Sequence, residues 1–387
     1  MTADSLYVLA VLCLTVVAAE WLVRRTALRH VGTALLAILV TAVLANAGVL
    51  PAGSTSDAPV PVYDAVFAYV APVAIFLLLL PVNLRDVLRA GLPIVALFLI
   101  GSTGTMVGAV LGMRLFGGAD VIGPLYRAVG GMFVATYIGG SINFNALALS
   151  YGVVRDGVLY AGSVAVDNVV TTVWMVATLA LPRLLGPLWQ RSVSETRPRA
   201  ALITGIEEDS ETLHPTDVGL VLALSLAAVY VSDRAAATLA AAGVAIPSIV
   251  ILTALALLLA QVPALSRLRG TRVLGMFAVY LFLAVIGAFC DLGKLGELGG
   301  LGGALLGFAS VLVAVHGLVT YGAARLLRLD LDVASVASQA NVGGSTSALA
   351  LARSLGRGDL VLPAVLIGSL GNAIGTFLGF LAAERLF

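Results

Sequence analysis

The chain has 387 residues, of which 60% are hydrophobic and only 11% charged, with a mean hydropathy of +1.06. No water-soluble domain carries that apolar load, so the composition places the chain in a lipid bilayer, the inner (plasma) membrane of a bacterium being the expected location. The 22 basic residues balance 21 acidic ones, which excludes a nucleic-acid partner. Two cysteines (Cys13, Cys290) and three scattered histidines (His30, His214, His316) supply neither a disulfide framework nor a metal centre, and no cofactor is expected.

Apolar stretches of spanning length, about 20 residues, fall at 5–23, 31–50, 63–82, 91–116, 127–150 and 158–182. They recur at 216–233, 246–265, 272–290, 299–326, 332–354 and 360–383. The expected fold is therefore an all-α polytopic membrane protein of about 12 transmembrane helices. The first stretch ends in Glu20, Trp21, Arg24 and Arg25 without a cleavage pattern and reads as a retained helix. Residues 184–215, with the acidic run Glu207, Glu208, Asp209 and Glu211, read as a solvated linker. It separates a first transmembrane repeat at 1–183 from a second at 216–387.

The halves are related. At an offset of 204, residues 139–172 fall on 343–376 with ten identities: Gly139, Gly140, Ser141, Ala146, Leu147, Ala148, Ser150, Gly152, Asn168 and Thr172 match Gly343, Gly344, Ser345, Ala350, Leu351, Ala352, Ser354, Gly356, Asn372 and Thr376. The repeated segments GGSINFNALALS and GGSTSALALARS put paired glycines and small polar residues inside apolar spans. Gly disfavours helix, and Ser and Asn compete for backbone groups, so each half is expected to hold one broken helix. Broken helices can offer carbonyls to Na⁺ and N-termini to an anionic group, as in many secondary transporters. Close packing of helices by small residues is the plainer alternative.

Asp167, followed by Asn168, is the acidic residue well inside a span, and a carboxylate there is a functional hypothesis by default. It suits an exchangeable proton or a bound Na⁺; satisfaction by hydroxyls such as Ser163 and Thr171, or by a cationic partner from another helix, is the structural alternative. Asp167, Asn168 and Asn372 are the expected ion-coupling residues. Gly139, Gly140, Ser141, Asn143 and Asn145 in one half, with Gln339, Asn341, Gly343, Gly344, Ser345, Thr346 and Ser347 in the other, are the expected substrate and ion site. Glu20 reads as a surface partner of Arg24, and His316 as an interhelical hydrogen bonder ahead of a proton relay.

The segments TYIGGSINFNALA with VAVDNVV, and SQANVGGSTSALALA with LIGSLGNAIGTFLG, resemble the YjcL-like family of bacterial and plastid membrane proteins. The likeness extends over VYDAVFAYVAPVAIFLLLLPVNLRDVLR and VYLFLAVIGAFCDL. That family is grouped with the bile acid/sodium symporters and cation/proton antiporters. The resemblance implies two inverted repeats, crossing broken helices, a core domain of spans four to six and ten to twelve moving against a panel, and a homodimer. Asp167 and Asn168 resemble the polar pair that follows the first broken helix of the antiporters, in reversed order. The antiporters' lysine has no counterpart, because Lys294 is the only lysine and falls between spans.

The function expected is secondary active transport, a Na⁺- or H⁺-coupled symport of a small polar or anionic organic solute by rocking or elevator motion. The alternatives are a cation/proton antiporter, an intramembrane enzyme or a membrane scaffold; no Walker, Gly-x-Ser-x-Gly or His-Glu-x-x-His motif is present. One conflict stands: Arg24, Arg25 and Arg29, Arg85 and Arg89, and Arg267, Arg269 and Arg272 mark three connections as cytoplasmic. Twelve alternating crossings cannot put all three on one side, so one segment does not cross or the count fails, the expected place being 184–246.

Overall fold

The computed structural model describes residues 4–26, 33–54, 58–82, 90–186, 189, 213–244, 246–266, 268–290 and 298–387, and the regular structure among them is helical. Most of the expected linker, with its acidic run, lies outside the described residues, as do Arg29, Arg85, Arg89, Arg267 and Lys294. The first half holds α1 (Ser5–Arg25), α2 (Thr33–Asn46), α3 (Pro61–Leu79), α4 (Leu92–Leu115), α5 (Tyr126–Gly139), α6 (Ser141–Ser150) and α7 (Gly157–Leu185). The second holds α8 (Pro215–Ala241), α9 (Ser248–Ala260), α10 (Thr271–Ala288), α11 (Leu298–Leu326), α12 (Leu331–Val342), α13 (Gly344–Ser354) and α14 (Val361–Arg385). Among the described residues nine helical stretches are long and apolar enough to cross a membrane, and α2 and α9 are shorter apolar helices. The helix α3 winds as a π-helix over Val66–Val70, just ahead of Pro72, whose ring nitrogen cannot donate to the turn before it.

The stretches 127–150 and 332–354, expected as single spans, each divide at the glycine pair. Gly140 (φ 82°, ψ −179°) ends α5 and Gly344 (φ 75°) opens α13, backbone conformations that a side chain at Cβ disfavours. Neither chain then continues onward. Arg357, beyond α13, donates to Asp330 at 2.7 Å and Asp332 at 2.9 Å at the start of α12. A straight helix of that length would hold them roughly 40 Å apart, so α12 and α13 form a helical hairpin with both ends at one end of the bundle.

α5 and α6 do the same from the opposite end. The Phe133 and Phe144 rings meet edge to face at 6.0 Å. Along α14, Gly139 of α5 approaches Gly371 while Gly131 approaches Gly379 and Ala383. In α6 the order reverses: Asn143 accepts from Thr376 at 2.6 Å and Tyr151 donates to Glu384 at 2.6 Å. The two arms therefore run antiparallel along one helix.

Packing sorts the helices into two groups with reciprocal neighbours. α4 lies against α11, α5 along α14 and α12 along α7, and these surround both hairpins. Elsewhere α3 lies against α10, with α2 on α10, α9 on α3, α1 on α2 and α8 on α9. A glycine stripe on α4 lets α11 come close: a Cβ on Gly108 would sit 2.6 Å from the Leu312 carbonyl oxygen, and one on Gly112 2.8 Å from that of Phe308. Helices in lipid associate by such backbone approach because their apolar surfaces gain little from each other over lipid. At one surface Arg24 donates to Glu20 at 2.7 Å, and Thr33 also donates to Glu20 at 2.7 Å, the local pair expected from their spacing.

Arg357 faces three carboxylates, those of Asp330, Asp332 and Asp359, and its side chain is 18% exposed. Arg357→Ala leaves them facing one another, and the expected loss is about 2 kcal/mol, between exposed and buried pairs. The thermal midpoint of the purified protein should fall, and the fall should shrink at high salt; an unchanged midpoint would show that the ion pairs do not hold the hairpin closed.

Candidate functional site

The tips of the two hairpins lie mid-bundle, where α4 connects them. The Thr105 hydroxyl is 3.3 Å from the Tyr137 carbonyl of α5, and Ser102, one turn earlier, donates to Asn341 Oδ1 of α12 at 2.8 Å. Each tip is the meeting of a helix C-terminus with the N-terminus of the next, so carbonyl ends and amide ends converge on one region.

The glycines of a pair have separate tasks. Gly139 permits contact: a Cβ there would lie 2.2 Å from the Gly371 carbonyl oxygen. Gly140 permits the turn, and beside it stands Asn372, whose Oδ1 is 3.8 Å from the ideal Cβ position. In the second hairpin Gly344 makes the turn with open space around it, while Gly343 packs against Gln339 and Ser347. Helix breaking and small-residue packing, set against each other in the sequence, thus occupy adjacent positions.

The polar residues of the tips divide by whether the protein already satisfies them. Asn341 is fully engaged, donating to Phe98 O at 3.0 Å and accepting from Ser102. Asn145 accepts from the Tyr160 hydroxyl. Asn143 and Gln339 are half-satisfied: their oxygens accept from Thr376 and Thr178, but Asn143 Nδ2 and Gln339 Nε2 have no partner although buried. Ser347 donates to the Gly344 carbonyl at 3.1 Å, Ser345 is half-buried against Gly368, and Ser141 and Thr346 are exposed.

Asp167 lies on α7 beside Tyr137 and Thr136 of α5 and Thr171 of its own helix. Its Oδ1 and the Tyr137 hydroxyl are both sealed from solvent, yet neither completes a hydrogen bond of good geometry. Asn168, next in sequence, is half-buried on the same helix. Ser163, one of the two hydroxyls expected to satisfy Asp167, is itself without a partner; Thr171 is the one that reaches it. A buried carboxylate and a phenol left unpaired together cost about 1–3 kcal/mol each unless something else completes them.

His316 sits in a completed network. Its Nδ1 is 2.9 Å from the Gly101 carbonyl oxygen and 3.0 Å from Thr105 Oγ1, and its Nε2 is 2.9 Å from Ser338 Oγ. A carbonyl only accepts, so the tautomer with its proton on Nδ1 satisfies these contacts. Trp174 of α7 donates to the same Ser338 at 3.0 Å. This ties α4, α7, α11 and α12 together, the interhelical role expected of the histidine. Cys290 packs with its thiol 2.9 Å from the Gly157 carbonyl, and Cys13 is a second free thiol.

Several site residues escaped the sequence reading: Tyr137, Thr136, Thr105, Ser338, Trp174 and Thr178. Tyr137 and Thr136 stand two and three residues before the first glycine pair, and Gln339 and Ser338 four and five before the second, so nearness to the pair was the available signal. Trp174 and Thr178 carry no such signal, because only the antiparallel run of α12 along α7 brings them in.

A family model described as "Protein of unknown function (DUF819)" matches residues 7–387, and the chain belongs to that family. It is 31% identical over 365 residues to the uncharacterized membrane protein YjcL of Bacillus subtilis (strain 168), a match covering 90% of this chain and 88% of that protein. The membrane assignment drawn from composition agrees with this relative and with the apolar helices.

The two glycines of the first pair should respond differently to alanine. Gly140→Ala is expected to cost about 1–2 kcal/mol through backbone strain, and Gly139→Ala more, since the backbone of α14 must move away. Thermal unfolding of both variants checks this order; equal tolerance of both would contradict the close contact with Gly371.

Proposed function

We propose that this family member is a secondary active transporter, a Na⁺- or H⁺-coupled symporter of a small polar organic solute, in which the hairpin-bearing group moves against the rest. The observation that carries this reading is the convergence mid-bundle of two glycine-turned hairpins on buried, incompletely bonded polar atoms: Asp167 Oδ1, the Tyr137 hydroxyl, Asn143 Nδ2 and Gln339 Nε2. Such atoms are expensive in a bilayer interior unless an ion, water or solute completes them. Asp167 with Tyr137, Thr136 and Thr171 is the coupling-ion candidate; Asn372 beside Gly140 and the free amides of Asn143 and Gln339 face the solute.

On the same reading the halves are inverted repeats. If α1 to α4 and α7 cross while the α5–α6 hairpin does not, the first half makes an odd number of crossings and the second begins from the other side. This removes the conflict in loop charge. The ends of α1, α3, α7, α9 and α11 then fall together, tied by Gln261 donating to Val82 O at 3.2 Å and Trp189 donating to Leu329 O at 2.9 Å. Arg24, Arg25, Arg269, Arg272, Arg325, Arg328 and Arg357 share that end, which by the positive-inside rule is cytoplasmic.

The test is the thermal midpoint of the purified protein across Na⁺, K⁺ and pH series, in wild type and Asp167→Asn. A ligand of the folded state raises the midpoint with its concentration, because it stabilises that state by about 2.7 kcal/mol at a hundred times its dissociation constant. A Na⁺-specific rise lost in the variant is the expected result for Na⁺ coupling, and a pH response lost in the variant for H⁺ coupling. Indistinguishable behaviour of the two proteins in every series would remove Asp167 from the mechanism.

A further inference from the structure

A cavity of about 530 Å³ opens at the end of the bundle opposite the arginine-rich one, between α3, α8 and α9 on one side and the exit of the first hairpin on the other. It lies within the size range of about 300–1,000 Å³ typical of small-molecule sites. Its position matters, because α3, α8 and α9 belong to one packing group and the hairpin to the other. A solute held here touches both.

The lining carries opposite charges. Arg155 comes from the turn after α6, Asp64 from α3 and Asp233 from α8, with Ser150, Ser232 and Ser248 among them. Phe67, Ile249 and Leu252 supply an apolar wall. Arg155 and Asp64 stand 3.7 Å apart, an ion pair too long for a hydrogen bond, and the other oxygen of Asp64 is held by Ser54 Oγ at 2.8 Å. The guanidinium is thus placed next to a carboxylate without being closed upon it, and its bidentate donors remain able to take another. Ser232, a buried residue of the lining, has a hydroxyl without a hydrogen-bond partner.

We infer that this cavity is an outward vestibule that binds a small zwitterion, an α-amino acid or short peptide, with its carboxylate on Arg155 and its ammonium on Asp233. The inference rests on the transporter reading and narrows its solute. One cation against two carboxylates disfavours a dianion, and the apolar wall gives an uncharged side chain somewhere to pack. Because Arg155 travels with the hairpin and Asp233 with the opposing group, a bound zwitterion bridges the two groups and replaces the loose Arg155–Asp64 contact.

The experiment uses the purified full chain and a set of neutral α-amino acids and dipeptides, each with its N-acetyl form (carboxylate only) and its amide (ammonium only). At least one parent zwitterion should raise the thermal midpoint, with apparent affinity at least tenfold above both of its modified forms. Arg155→Gln and Asp233→Asn, both at exposed positions, should keep the ligand-free midpoint and lose that response. Absence of any response to zwitterions, equal responses to parent and N-acetyl forms, or a response unchanged in Arg155→Gln would each overturn the assignment. Uptake into proteoliposomes separates the two readings: binding without uptake defeats transport and leaves the vestibule standing, whereas uptake unaffected by Arg155→Gln defeats the vestibule and leaves transport standing.

Discussion

A helix that stops halfway across a bilayer leaves several backbone amides and carbonyls without intrahelical partners, where no lipid can satisfy them. The structure depends on meeting that demand twice. At the first tip Gly140 N donates to Thr136 O at 2.7 Å, and Asn143 N donates back to Gly140 O at 3.1 Å. At the second, Gly343 N donates to Gln339 O at 2.8 Å, and the Ser347 hydroxyl takes the Gly344 carbonyl. Each tip is then enclosed by a long helix from the other half, α14 for the first and α7 for the second. The glycine stripes of α4 and α14 follow from the same need, since side chains there would hold the enclosing backbones away.

Burying two tips in protein creates the conditions for a site. The polar side chains that complete the turns are concentrated where the bundle is most enclosed, and where they outnumber their partners, unpaired atoms remain. Asn341 and Asn145 are consumed by the scaffold, whereas Asn143, Gln339, Tyr137 and Asp167 keep a free atom each. Side chains of one type in one motif therefore divide between those spent on holding the hairpins and those that keep an unpaired atom. The exits of the hairpins differ as well: Arg357 ties the second to itself, while Arg155 at the exit of the first stands 3.7 Å from Asp64 of α3 without a hydrogen bond to it.

Much of this was legible in the sequence, for identifiable reasons. Apolar runs gave the helices because a bilayer enforces length, and the glycine pairs gave the breaks because φ near +80°, as at Gly140 and Gly344, is reached at little cost only by glycine. The direction taken after each break was not legible: a straight continuation and a reversal need the same local sequence. The Arg357–Asp330 contact that distinguishes them joins residues whose proximity only the folded chain reveals. On the topology proposed above, the loop arginines register the reversal as a parity conflict, but charge fixes sidedness and not which segment fails to cross. The conflict was expected near 184–246, whereas the segments that turn back are 127–150 and 332–354. Asp167 was visible as a lone acid in an apolar span; its neighbour Tyr137 was not, because a tyrosine in an apolar run has no polar signature of its own.

The central claim, that two hairpins enter from opposite ends, is tested most directly by labelling from each side of the membrane. In a background with Cys13 and Cys290 replaced by serine, single cysteines at Asp120 and Asp156 flank the first hairpin, and at Leu327 and Ser354 the second. A membrane-impermeant maleimide applied to right-side-out and inverted vesicles should modify positions 120 and 156 from the outside and positions 327 and 354 from the inside. Labelling of 120 and 156 from opposite sides, or of 327 and 354 from opposite sides, would show that the segment crosses and would contradict the account.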